Sequence, residues 1–237
     1  MVFIADDFGM SAEINRAILH THQHGVLQGA SLMVGQPGSD DAVRLARDNP
    51  TLPIGLHLHL DNSQPLTRAS WPWGKGSSYR RAGWAIGLSG KARQLMQDEV
   101  KAQWEGFLAT GLPCAFVNSH HHLHAHPFVY KALLDVLPKH FTGWLRLGKP
   151  HFFSFNADAI WMLPIDTLFM EGRRRRCPYR HSDTLWGLGR TFRMRAQEVV
   201  DMAKQLGSGI HEFYFHPRTI ENDLDTRCLL ELKTCGF

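Results

Sequence analysis

Between Asn118 and Pro127 the chain reads NSHHHLHAHP, which places histidine at 120, 121, 122, 124 and 126. Neutral imidazole is the commonest side-chain metal ligand and moves protons near neutral pH. If this stretch is extended, alternation aims His120, His122 and His124 one way and His121 the other. Composition alone also fits a solvated histidine-rich loop that collects metal adventitiously. Other residues weigh against that reading. Asp6 and Asp7 directly follow the apolar Val2–Ala5, and adjacent acids there are costly unless a cation or hydrogen-bond donors compensate them. The plainer alternative is that one Asp caps the next helix. His57 and His59 alternate with Leu56, Leu58 and Leu60, so both lie on one strand face. His216-Pro217 closes another apolar segment, Ile210–Phe215.

The elements carrying these residues alternate. Val2–Ala5 predicts a strand, then a helix over Glu13–His24 with Ser11 as N-cap and Gly25 as terminator. Ala30–Val34 predicts a second strand, followed by a helix over Asp41–Arg47 capped by Ser39 or Asp40. Pro53–Leu60 and Cys114–Val117 read as further strands, with Pro127 opening a helix that runs from Phe128 to Leu137. A helix over Ala92–Thr110 turns Leu95, Val100, Trp104, Phe107 and Leu108 inward. Gly143–Leu147 and Ile210–Pro217 predict strands, and Ala196–Leu206 and Leu224–Leu232 predict helices. Such alternation across residues 1–237 predicts one α/β domain, a parallel or distorted (β/α) barrel.

Three stretches are ambiguous. Asp61–Ser89 has no clear period and reads as a long loop of the kind that forms active-site lids. Its Trp71, Trp73, Tyr79 and Trp84 suit stacking on a sugar or folding of the loop onto the core equally well. Arg146, between apolar neighbours, points into a cleft or marks an exposed edge. Residues 151–170 are aromatic and aliphatic and precede Arg173–Arg176; the pattern fits a membrane surface or lipid substrate, and fits better an ordinary helix with a solvated end.

An apolar fraction of 43% supports a substantial core, and a net charge of +4 with one local basic run does not suggest nucleic-acid binding. Four cysteines without CxxC spacing read as thiols of a reducing compartment. With no leader-like N-terminal pattern, a cytoplasmic protein is expected, peripheral to the inner membrane face if the apolar and basic stretches act together.

Asp6-Asp7, His57, His120 and His216 all fall at the carboxyl ends of predicted strands, which converge on one rim in a parallel α/β fold. One carboxylate and two imidazoles leave open positions on a divalent cation, as a hydrolytic site requires. A second carboxylate then serves as general base and another histidine as general acid.

Ala5–Gly9, Gly55–Leu60, Ser119–His124 and His216-Pro217 resemble the YdjC-like carbohydrate deacetylases, relatives of the polysaccharide deacetylases. Ala30–Val34, Phe107–Leu112, the arginine run before Ser182-Asp183, Gly187-Leu188 and Glu212–Pro217 resemble the hopanoid-biosynthesis-associated branch more closely. The resemblance runs in order along nearly the whole chain. It implies a distorted (β/α) barrel, one divalent cation, Mg²⁺ or Zn²⁺, and removal of N-acetyl groups from sugars, including an N-acetylglucosaminyl hopanoid glycolipid. Carried over, Asp7, His57 and His120 are metal ligands, Asp6 the base and His216 the acid or oxyanion partner. Arg146 or His124 then positions the sugar. His121 departs from the residue often found in that branch and is not expected on the metal. The chain ends soon after Cys235, where relatives continue, so a truncated C-terminus is expected. A homodimer remains open as an assembly. Other metal-dependent amidohydrolases or phosphoesterases, and a non-catalytic lipid- or metal-binding protein, are the alternatives.

Overall fold

A computed structural model describes residues 1–68, 70–74, 78–152 and 170–237. Among these described residues nine parallel strands form one sheet: β1 (Val2–Phe8), β2 (Gly29–Leu32), β3 (Ile54–Leu58), β4 (Cys114–Ser119), β5 (Trp144–Leu145), β6 (Lys149–Phe152), β7 (Arg180–His181), β8 (Thr184–Leu188) and β9 (His211–Phe215). Their order is β6-β8-β9-β1-β2-β3-β4-β5-β7. The sheet must curl, because the chain crosses between its two ends through very short links. Ser182 and Asp183 alone separate β7 from β8, a reach of at most about 11 Å. Residues 146–148 likewise join β5 to β6. Backbone bonds tie the crossings together: Ser182 N donates to Leu145 O (3.2 Å) and Lys149 N to Asp183 O (2.8 Å). The expected distorted barrel is thus a curled parallel half-barrel with every strand's carboxyl end on one rim.

Helices connect the strands: α1 (Ala12–His24), α2 (Ser39–Asp48), α3 (Tyr79–Leu88), α4 (Gly90–Ala109), α5 (Pro127–Val136), α6 (Glu171–Arg176), α7 (Ala196–Ala203) and α8 (Leu224–Thr234). Ser11 caps α1 as its sequence suggests, accepting from Ile14 N at 3.3 Å. In α2, Ser39 lies within the helix and Gly38 takes the cap position without a side-chain bond. The core packs Phe3, Ile18, Leu32, Leu56, Val100, Phe107, Val117 and Phe213. Gly55 is required where β3 meets β4, since a Cβ there would collide with the Phe116 ring.

Several expectations change. β1 continues through Asp6 and Asp7 to Phe8, so both acids sit inside the strand end rather than after it. Extended alternation stops at Ser119: His120–Ala125 form a 3₁₀ turn, with His121 and His122 at φ 51° and 55°. Asp61–Ser89 is not wholly irregular, because Tyr79–Leu88 is helical. Trp71 and Trp73 are buried, stack at 5.2 Å and donate to Ser63 O and Leu60 O, which folds their loop onto the core. Trp84 is exposed, and so is Leu108, on the outer side of α4. Most of the apolar stretch 151–170 lies outside the described residues. No helix among the described residues is long and apolar enough to cross a membrane.

Candidate metal centre

β3 and β4 are adjacent in the sheet and β1 is one strand further on, across β2; their carboxyl ends bring Asp7, His57 and His120 together. One ligand-type atom from each lies within 4.8 Å of the others. His57 Nε2 stands 3.3 Å from Asp7 Oδ1, and His120 Nδ1 stands 3.0 Å from the same oxygen. All three side chains are buried. The backbone contributes to the aim: Asp7 is left-handed at φ 67°, a rare state for a non-glycine residue, and Gly9 follows at φ 94°. That twist takes Asp7 out of the strand alternation and turns it beside its neighbour's face.

The tautomer of His57 is set from behind. Its Nδ1 lies 2.6 Å from Asn118 Oδ1, an oxygen that can only accept, so Nδ1 carries the proton and Nε2 offers a lone pair. His57 Nε2 and His120 Nε2 are both buried with no hydrogen-bond partner among the described residues. Buried unsatisfied nitrogens around a carboxylate call for a missing partner, and a cation satisfies all three. A borderline divalent ion suits one oxygen and two imidazole nitrogens, so the donor set fits. Burial pushes the Asp7 carboxyl up, but its bonds to His120 and His57 outweigh this and hold it well below the usual carboxylate range. For His57, burial favours the neutral ring, while Asp6 and Asp7 pull its pKa above the ordinary value.

Asp6 has a different setting. Its Oδ1 accepts from Ser31 Oγ (2.8 Å), Asn118 Nδ2 (3.1 Å) and Arg146 Nη2 (2.9 Å), and its Oδ2 from Arg146 Nη1 (2.6 Å). Arg146 Nε donates in turn to Glu212 Oε1 at 2.7 Å. Burial raises the Asp6 pKa, yet the charges of Arg146 and His57 more than offset it, and Asp6 stays ionised. Glu212 is fully buried, and burial leaves its pKa raised despite Arg146.

Residues 1–232 match the family model described as YdjC-like protein. The chain belongs to the YdjC-like family. A carbohydrate deacetylase from Vibrio parahaemolyticus serotype O3:K6 (strain RIMD 2210633) is 33% identical over 169 residues, covering 71% of this chain and 63% of that relative. One from Geobacillus stearothermophilus is 39% identical over 149 residues, 62% of this chain and 60% of the relative. The YdjC-like chain spans about three fifths of the length of these curated relatives. A crystal structure from Enterococcus faecalis V583, of a protein named there as a candidate for cellobiose-phosphate cleavage, shares the fold at TM-score 0.66 and 19% identity. That alignment covers 98% of this chain and 92% of the other.

Among the remaining expected site residues of this YdjC-like chain, His216 lies just past β9 with its amide bound to Asp225 Oδ2 at 2.8 Å. Its Nδ1 is buried and without a partner among the described residues. The two residues expected to position the sugar, His124 and Arg146, are both buried. His124 is buried, with Nδ1 2.7 Å from Ser119 Oγ. Arg146 has its guanidinium occupied by Asp6 and Glu212. His59, on the face expected of His57, is a satisfied core residue: its ring meets Ser63 Oγ (2.9 Å) and Val34 O (2.9 Å), and burial drives its pKa down to about 4.

Residue types alone did not single out Asn118, Ser31 and Glu212 as partners of the site. The usable signal was polarity at strand positions that must be buried, as in Ile210-His211-Glu212-Phe213, where a lone acid requires a buried cation.

Proposed function

We propose that residues 1–237 form one YdjC-like domain acting as a metal-dependent carbohydrate N-deacetylase, hydrolysing the acetamide of an N-acetylglucosamine-type sugar. The observation that carries this reading is the buried Asp7–His57–His120 cluster, with two imidazole nitrogens left unsatisfied beside a second, ionised carboxylate. The relatives' names support the sugar and the acetyl group. Asp7, His57 and His120 would hold one divalent cation, Mg²⁺ or Zn²⁺, which when bound supplies Lewis-acid polarisation of the amide carbonyl. Asp6 takes the proton of the attacking water. Among the described residues its Oδ2 accepts from Arg146 alone, so one lone pair remains for that task. Arg146 keeps Asp6 charged but also weakens it as a base, so its contribution belongs at the modest end of acid–base effects, about 100-fold. His216, with Asp225 fixing its backbone, delivers a proton to the departing amine. The site is read as cytoplasmic. An acceptor carried on a hopanoid lipid is the finer reading, supported by the sequence resemblance and by the basic run Arg173–Arg176; it implies peripheral contact with an anionic membrane.

Acetate release from chitooligosaccharides and from N-acetylglucosaminyl lipid, with metal-loaded protein, tests both levels. Release from neither, or phosphate release from a phosphoester instead, overturns the deacetylase. Release from the soluble sugar with no preference for the lipid removes the hopanoid. Within the site, Asp6→Asn should keep the metal and lower kcat about 100-fold. His216→Ala should slow amide cleavage more than cleavage of an activated ester, whose leaving group needs no proton. Equal losses on both substrates would assign His216 to shaping the site.

A further inference from the structure

Asp61 follows β3 and is fully buried. Its Oδ2 lies 2.9 Å from His121 Nδ1, and Oδ1 has no hydrogen-bond partner among the described residues. A buried carboxylate with so little compensation is costly, so what it holds matters. It holds a ring that faces outward: the His121 side chain is 38% exposed. That ring packs 4.0 Å from His120, a residue of the metal cluster, and 5.6 Å from Tyr79, itself partly exposed on α3. The backbone is bent to present it, with His121 and His122 both left-handed at φ 51° and 55°. Such conformations persist in non-glycine residues where the surroundings over-determine them, and they gather at ligand sites.

A carboxylate accepts and does not donate, so Asp61 keeps the proton of His121 on Nδ1. Nε2 then lies on the side of the ring away from Asp61, and it takes no hydrogen bond among the described residues. A polar ring edge fixed beside the metal cluster and next to an aromatic face suits a hydroxyl on a pyranose ring, which can donate or accept. We propose that His121 binds a ring hydroxyl of the sugar whose acetamide is cut, with Asp61 as the positioning residue that sets its tautomer and aim. This rests on the deacetylase reading above, and it differs from the expectation that Arg146 or His124 positions the sugar.

The test compares an N-acetylglucosaminyl substrate with its monodeoxy analogues, for wild type, His121→Asn and Asp61→Asn. Asn tolerates left-handed backbone, so His121→Asn removes the imidazole and leaves the turn. In wild type, one deoxy analogue should lose about 10- to 100-fold in kcat/KM, because a site built for a hydroxyl rejects its absence. Both variants should lose a similar factor on the full sugar, mainly through KM, and should no longer discriminate against that analogue. Metal content should be unchanged. If Asp61→Asn misfolds, His121→Asn at its exposed position still decides. Undiminished turnover by His121→Asn, or an equal loss on every analogue, overturns the assignment while leaving the deacetylase standing. Absence of acetate release by wild type overturns both, and is seen before any variant is made.

Discussion

Asp6 and Asp7 are neighbours in the chain with opposite surroundings. Asp6 is close to saturated: Ser31, Asn118 and Arg146 donate to it and leave one lone pair of Oδ2, and Arg146 continues to Glu212. Asp7 faces two imidazoles whose Nε2 atoms have no partner among the described residues. A densely bonded buried network specifies shape, because each member fixes the next. A buried cluster with unsatisfied lone pairs is poised for a ligand, and its incompleteness is the informative feature. The left-handed turn at Asp7 is what lets both acids reach one site, since plain alternation would aim adjacent side chains at opposite faces.

The largest effect we expect comes from the unsaturated side. His120→Ala should remove the bound ion and lower activity by well over 100-fold, since even second-shell partners of a metal typically account for 10- to 100-fold. The fold should survive, because the residue opens the turn after β4 and lies outside the apolar core. Elemental analysis, acetate release and a circular-dichroism melt measure the three parts. If the ion persists in His120→Ala and is lost only when His122, His124 and His126 are replaced, the centre lies elsewhere in the histidine tract and the contrast between the two aspartates has been misread.

Arg146→Met probes the saturated side. It strands two buried carboxylates, Asp6 and Glu212, without their shared cation. Breaking a buried ion network by removing one partner costs about 3–5 kcal/mol. Urea denaturation should show this at neutral pH and show a smaller loss on acidification, because protonation removes the unpaired charges. His120→Ala should show no comparable instability in metal-free protein. A variant Arg146→Met as stable as wild type would mean that the network does not hold the rim.

The sequence carried the frame of this site and left out much of its wiring. Asp7, His57 and His120 were legible because each ends an apolar strand, and ligand-type residues at strand ends in a parallel fold converge whatever the loops do. The alternation assigned to His120–His124 failed because it assumes extended backbone, and two successive left-handed residues are not visible in a run of histidines. His59 shows the limit of face arguments. It shares the parity of His57, yet β3 has already ended at Leu58, and Gln103 of α4 binds its backbone at both N and O. Arg146 could be read as a buried charge or an edge residue. Only its long-range partners, Asp6 and Glu212, decide between these, and sequence periodicity holds no information about pairs so far apart.

The smallest effect concerns the histidine behind the rim and appears only as a slope. His124 is buried against Ser119, and burial together with the charge of Arg146 drives its pKa from 6.5 to about 3. In the unfolded chain the same ring takes a proton near its ordinary value. Between about 3 and 6.5, therefore, the unfolded state binds more protons than the folded one, and stability must rise with pH across that window. Above it neither state is protonated, and below it both are, so the contribution is flat on either side. One such group changes stability by up to about 1.4 kcal/mol per pH unit. His124→Gln keeps a polar side chain near Ser119 and removes the titration. Its stability curve, measured by urea midpoint from pH 7 down to pH 4, should fall less steeply than that of wild type, and the two should draw together as the pH drops. A constant offset over that range would mean that His124 is charged in the folded protein, and that the saturated network behind Asp6 does not exclude a further positive charge.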